Sequence, residues 1–155
     1  MKILLISGAP NTGKTTLINL IIKYFRRCGF RSCCQSVHIS DSDRVVCISG
    51  KTNKRKSVRV LINSASDTTT IINTIFQFYI NNEPIDYFIT SIRDMYDERE
   101  LLFERLNCNN IEYYEVPLGR ITRRKDFDQA LDDYHSRILM LIEQVLSKSP
   151  FYISP

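Results

Sequence analysis

The chain has 155 residues, of which 43% are hydrophobic and 25% charged, with five Gly and five Pro; this suits a single compact domain and excludes collagen-like, low-complexity and disordered classes. The net charge of +4 conceals an asymmetry, because residues 1–80 carry 12 Lys/Arg against 3 Asp/Glu and residues 81–155 carry 9 against 14; the first half is therefore the part suited to an anionic partner. No apolar run approaches the length needed to cross a bilayer, and Met1-Lys2 leads into only four apolar residues before Ser7-Gly8, so a cytoplasmic protein without membrane contact is expected.

Strand and helix signals alternate, the pattern of a mostly parallel sheet with helices on its faces. Ile3 to Ile6 reads as a strand buried on both sides. A helix follows over Lys14 to Arg27, where Leu17, Leu20, Ile21 and Tyr24 keep helical spacing and Gly29 stops it. Cys33 to Ile39 reads as a second strand, and Arg44 to Ile48 and Val58 to Ile62 read as an antiparallel hairpin joined by the polar stretch Gly50 to Lys56. Asp67 is the expected cap of a helix over Thr68 to Ile80, with Ile71, Ile72, Ile75, Phe76 and Tyr79 on one face. Tyr87 to Ser91 is the next strand, and Asp94 or Asp97 is expected to cap a helix ending near Leu106. After a strand over Ile111 to Val116, the last helix carries an apolar stripe of Phe127, Ala130, Leu131, Tyr134, Ile138, Leu141, Ile142 and Val145. There is no internal repeat and no linker, so residues 1–155 form one domain.

The five cysteines, Cys28, Cys33, Cys34, Cys47 and Cys108, include no C-x-x-C pair, and His38 and His135 are far apart in sequence. Free thiols are expected, and the spacing gives no Cys/His metal set.

One segment carries strong chemical information. Gly8-Ala9-Pro10-Asn11-Thr12-Gly13-Lys14-Thr15 matches G-x-x-x-x-G-K-[ST] in full, between a buried strand and a helix start. Gly8 and Gly13 let main-chain N–H groups approach a phosphate chain, and the helix N-terminus adds unpaired donors and the positive end of its dipole. The segment resembles the Walker A element of the P-loop NTPase superfamily. That resemblance implies a three-layer α/β/α fold, a nucleoside triphosphate with Mg²⁺, Lys14 on the β- and γ-phosphates, the Thr15 hydroxyl on Mg²⁺ and Thr16 on the α-phosphate.

A second anchor is less plain. Superfamily members usually hold Mg²⁺ through an acid that ends a buried strand, but Asn63 stands directly after the Val58 to Ile62 run, with the nearest carboxylate at Asp67. Asp67 is therefore the expected metal residue alongside Thr15. Asp41-Ser42-Asp43 resembles the Asp-x-Asp element of small metabolite kinases such as shikimate kinase, which would give Asp41 or Asp43 a role toward Mg²⁺ or an acceptor hydroxyl; a strand rather than a helix follows it here. G domains share the hairpin after the first helix, but their D-x-x-G and N-K-x-D elements are missing, leaving ATP as the expected nucleotide. An arginine able to reach the γ-phosphate is expected from Arg93 or from Arg120, Arg123 and Arg124, the latter similar to the lid of nucleotide and metabolite kinases. Lys51, Lys54, Arg55, Lys56 and Arg59 form a basic hairpin without interleaved aromatic residues, so it reads as a solvated edge and nucleic acid is not the expected partner.

These readings converge on an ATP- and Mg²⁺-binding protein with Lys14, Asp67, Asp43 and Arg124 as catalytic candidates. Hydrolysis and transfer to a small-molecule acceptor both remain open, as does a module in which nucleotide orders the 41–67 region for a protein or nucleic-acid partner with little turnover.

Overall fold

A computed structural model describes residues 1–40, 43–65, 68–94, 96–106, 112–120 and 127–155. Eleven elements follow one another among them: β1 (Lys2–Gly8), α1 (Lys14–Arg27), β2 (Arg31–Ser32), β3 (Val37–His38), β4 (Arg44–Lys51), β5 (Ser57–Asn63), α2 (Thr69–Asn81), β6 (Tyr87–Arg93), α3 (Tyr96–Arg105), β7 (Tyr113–Leu118) and α4 (Phe127–Ser147). The strands form one mixed sheet in the order β2-β4-β5-β6-β1-β7, with β3 also paired to β4. Four strands run parallel, β5 to β6, β6 to β1 and β1 to β7. The β4–β5 hairpin is antiparallel, as its short polar connection requires.

The sheet divides the apolar residues into two cores because side chains alternate along each strand. From β1, Leu4 and Ile6 join Leu17, Ile18, Ile21 and Phe25 of α1 and Ile142 and Leu146 of α4. Ile3 and Leu5 face the other way, toward Ile72 and Ile75 of α2 and Leu102 of α3. All four β1 residues are completely buried, which explains their uninterrupted apolar run.

Several elements depart from their sequence signals. The stretch from Cys33 to Ile39 is not one strand: the chain leaves the sheet at a bend at Cys34 and returns at Val37, so two short pieces, β2 and β3, share the edge of β4. The cap of α2 is Thr68, whose side chain accepts from the Ile71 N–H, rather than Asp67. Asp97 lies inside the first turn of α3, where its charge complements the helix dipole instead of capping. In α4, Ala130 and Leu141 are exposed and His135 is buried, because the face buried against the sheet is narrower than the apolar stripe. The last residues also enter the core: Phe151 and Ile153 are fully buried, Tyr24 Oη donates to the Ile153 carbonyl at 3.0 Å, and the Asn53 N–H donates to the Tyr152 carbonyl at 2.7 Å. No helix among the described residues is long and apolar enough to cross a membrane.

Two substitutions test this packing by chemical denaturation. Thr68→Ala should lower stability by about 1 kcal/mol through loss of the cap. Gly50→Ala should cost about 1–3 kcal/mol, because a Cβ there would stand 2.5 Å from the Phe30 ring.

Candidate functional site

β1 ends at Gly8 and α1 begins at Lys14, so Ala9 to Gly13 must reverse the chain over the carboxyl edge of the sheet. The turn closes at Gly13, which stands at the head of α1 with φ 83° and ψ 19°, a left-handed conformation that favours glycine. Its carbonyl accepts the first helical bond, from the Leu17 N–H at 2.9 Å. Thr12 Oγ1 donates to the Ala9 carbonyl at 2.9 Å, which fixes the loop internally. The first turn of α1 has no acidic residue, so the positive end of its dipole remains available to an anion.

Lys14 is buried by this geometry. Its ammonium donates to the Gly8 carbonyl at 2.9 Å and the Ala9 carbonyl at 2.8 Å, so the charge is held directly over the loop. A cavity of about 230 Å³ opens beside it, lined by Pro10, Asn11, Thr12, Gly13, Lys14, Thr15, Ser64 and Arg93. Thr16 is exposed and does not line that cavity.

The structure brings Asp43 to this loop. After β3 the chain turns back into β4, and the turn is tied at both ends: the Ile39 N–H donates to the Asp43 carbonyl at 2.8 Å, and the Asp43 N–H to Ser40 Oγ at 3.1 Å. Thr15 Oγ1 then donates to Asp43 Oδ1 at 3.1 Å, and Ser64 Oγ approaches the same carboxylate oxygen at 3.3 Å. Ser64 is itself placed by the β4–β5 pairing, since the Arg44 N–H donates to its hydroxyl at 2.9 Å and Ser91 Oγ donates to its carbonyl at 2.8 Å. Three oxygen-bearing side chains thus converge at the mouth of the loop.

Asn63, directly after the buried apolar run of β5, ties the sheet together. It is completely buried, donates to the Ala65 carbonyl and to Thr90 Oγ1, and accepts from the Ala65 N–H at 3.1 Å. Its side chain ties the end of β5 to β6. Asp41, Asp67, Arg123 and Arg124 lie outside the described residues; Arg120 is exposed, and among the described candidate arginines Arg93 lines the cavity.

Two contributors escape sequence reasoning. Ser64 stands next to Asn63 but carries no motif of its own. His135 packs its ring where a Gly13 side chain would stand: a Cβ on Gly13 would meet Nε2 at 2.0 Å and Cε1 at 2.4 Å. The ring is 4% exposed, and Nε2 has no hydrogen-bond partner among the described residues. The available signal was a polar residue within the apolar stripe of the last helix, but nothing in the sequence joins it to a loop more than a hundred residues earlier.

No protein-family model, curated protein or solved structure matches the chain.

Gly13→Ala should combine a disfavoured backbone conformation with the collision against His135, lowering stability by about 1–3 kcal/mol in denaturant and distorting the loop. Asn63→Ala should cost a similar amount, about 1–3 kcal/mol, because it leaves Thr90 and the Ala65 backbone without their buried partner; anion binding at the loop, followed by calorimetry with inorganic triphosphate, should survive Asn63→Ala and fail in Gly13→Ala.

Proposed function

We propose that this protein binds a nucleoside triphosphate at the Gly8 to Thr15 loop and acts on its γ-phosphate with Mg²⁺, by hydrolysis or by transfer to an acceptor. The observation that carries the reading is the junction of loop and helix. A left-handed Gly13, a buried lysine held over the loop and a helix start without acidic residues make a cradle for a phosphate chain. The arrangement of α1 and α4 on one face of the sheet and α2 and α3 on the other supports the three-layer α/β/α fold of P-loop NTPases.

The residues at the mouth of the loop suit Mg²⁺ chemically. Thr15 Oγ1, Asp43 Oδ1 and Ser64 Oγ are hard oxygen donors already within hydrogen-bond distance of one another through Asp43, and such donors are what Mg²⁺ prefers. Thr15 and Asp43 would hold the ion directly or through its waters. Bound Mg²⁺ would neutralise charge on the phosphates. Lys14 would contribute a positive charge to the same end, and Arg93, on the cavity wall, would meet phosphate oxygens in the manner of a charge-stabilising arginine. Asp43 also serves as the candidate to orient an attacking water or hydroxyl.

A second reading has its own observation. Asn63 occupies the end of the buried β5 strand and is committed to Ala65 and Thr90, so the residue directly after the apolar run supplies an amide rather than a carboxylate. This favours slow turnover, and with it a nucleotide-dependent module in which the ligand orders the Asp43 and Ser64 segments for a protein partner.

Thermal unfolding with ATP, ADP and GTP, each with and without Mg²⁺, tests the assignment, because a ligand of the folded state raises the melting temperature. We expect a Mg²⁺-dependent rise with ATP exceeding that with GTP, abolished by Lys14→Ala. Asp43→Asn should remove most of the Mg²⁺-dependent part and leave the Mg²⁺-free part. Unchanged ATP response in Lys14→Ala would overturn the reading. Phosphate release measured on the same samples separates turnover from binding alone.

A further inference from the structure

Three thiols converge on residues that the phosphate loop does not use. Cys33 directly follows β2 and continues its ladder by one rung: the Cys33 N–H donates to the Cys47 carbonyl at 3.1 Å, and the two sulfurs stand 3.2 Å apart. On a continuing strand Cys34 would point to the opposite face. The bend at Cys34 instead turns its sulfur toward the other two, so that all three Sγ atoms lie within 4.8 Å of one another. Cys47 is buried at 1% exposure, Cys34 is half-buried and Cys33 is exposed. The set therefore has a buried floor and an open side.

Neighbouring chemistry favours a cation over a reactive thiol. A disulfide between Cys33 and Cys47 would use two sulfurs and give the convergence of the third no purpose. Three thiolates around a divalent ion would carry one net negative charge, and Arg59 on β5 supplies the opposite charge, its Nη2 lying 3.9 Å from Cys47 Sγ. Zinc–sulfur bonds of about 2.3 Å place tetrahedral sulfurs about 3.8 Å apart, a spacing bracketed by the separations here, 3.2 Å for one pair and at most 4.8 Å for any.

We propose that Cys33, Cys34 and Cys47 form a three-thiolate site for a divalent thiophilic cation of the zinc type, with its fourth position open to solvent beside Cys33. Sulfur ligands select such ions over Mg²⁺, so this site and the phosphate loop would not compete for metal. Filling it would clamp the start of the 33–43 segment to β4.

The test uses the full chain, reduced with a phosphine under argon and titrated with Zn²⁺ against a chromophoric chelator, then with Co²⁺ to read sulfur-to-metal charge transfer. We expect one Zn²⁺ per chain and a Co²⁺ charge-transfer band, with Cys33→Ser and Cys34→Ser each weakening Zn²⁺ affinity at least tenfold and Cys28→Ser leaving it unchanged. Cys33→Ser alters an exposed side chain, and its thermal unfolding without metal should match the parent, which separates loss of a ligand from loss of fold. Absence of stoichiometric Zn²⁺ uptake by the reduced chain, or uptake that survives both substitutions, would overturn the proposal; so would a reduced chain that takes up no metal and forms only a Cys33–Cys47 disulfide on exposure to air. The outcome is independent of nucleotide binding, which these variants should not alter.

Discussion

The contact between Gly13 and His135 is the constraint on which the loop depends. A strand buried on both faces has to end by turning sharply if a helix is to pack back on it, and the turn is only available because Gly13 adopts a left-handed conformation without a side chain. The same missing side chain lets the His135 ring of α4 press against the loop from behind. Helix α4 thus backs the turn while α1 projects from it. The first helical N–H groups and the Lys14 ammonium, which donates to the Gly8 and Ala9 carbonyls, are thereby gathered at one corner of the molecule.

A second set of constraints brings the ends of separate strands to that loop. The β4–β5 hairpin sets Ser64 beside Arg44, and the tied turn before β4 sets Asp43 beside Ser64. Thr15, at the head of α1, closes the triangle. Asn63 contributes indirectly, since its buried amide holds the β5 end against Thr90 of β6 and leaves the following residue to face the loop. The amide is neutral and fully satisfied inside the sheet, where an unpaired charge would be costly. The carboxylate that reaches Thr15 and Ser64 is that of Asp43, which approaches from the turn just before the opposite strand of the hairpin.

The three cysteines illustrate the same dependence on tertiary folding at another edge of the molecule. Cys33 and Cys34 are neighbours in sequence and would diverge on a regular strand, whereas Cys47 lies on a different strand altogether. Only the early end of β2 and its pairing with β4 bring their sulfurs together. The basic hairpin is altered in a comparable way: it has no aromatic residue in its own sequence, yet Tyr152 packs beneath Lys54 with the ammonium 3.6 Å from the ring centre, and Lys56 approaches Asp86 at 3.5 Å. Part of its charge is thereby engaged within the chain.

The sequence by itself determined the local elements whose signals are short-range: the buried β1 run, the bounds of α1, the polar turn of the antiparallel hairpin and the spacing of Gly8, Gly13 and Lys14 all rest on residues close together in the chain. Thr68 displaced Asp67 as the cap of α2 because neighbouring residues compete for that position, a choice that composition does not decide. The tertiary structure alone decided that Asp43 rather than Asn63 meets Thr15, that Arg93 lines the cavity, that His135 backs Gly13 and that Phe151 and Ile153 fill the core. Each of these joins residues from different elements, and their meeting follows from strand order, register and the packing of whole helices, quantities that no local pattern of residue types encodes.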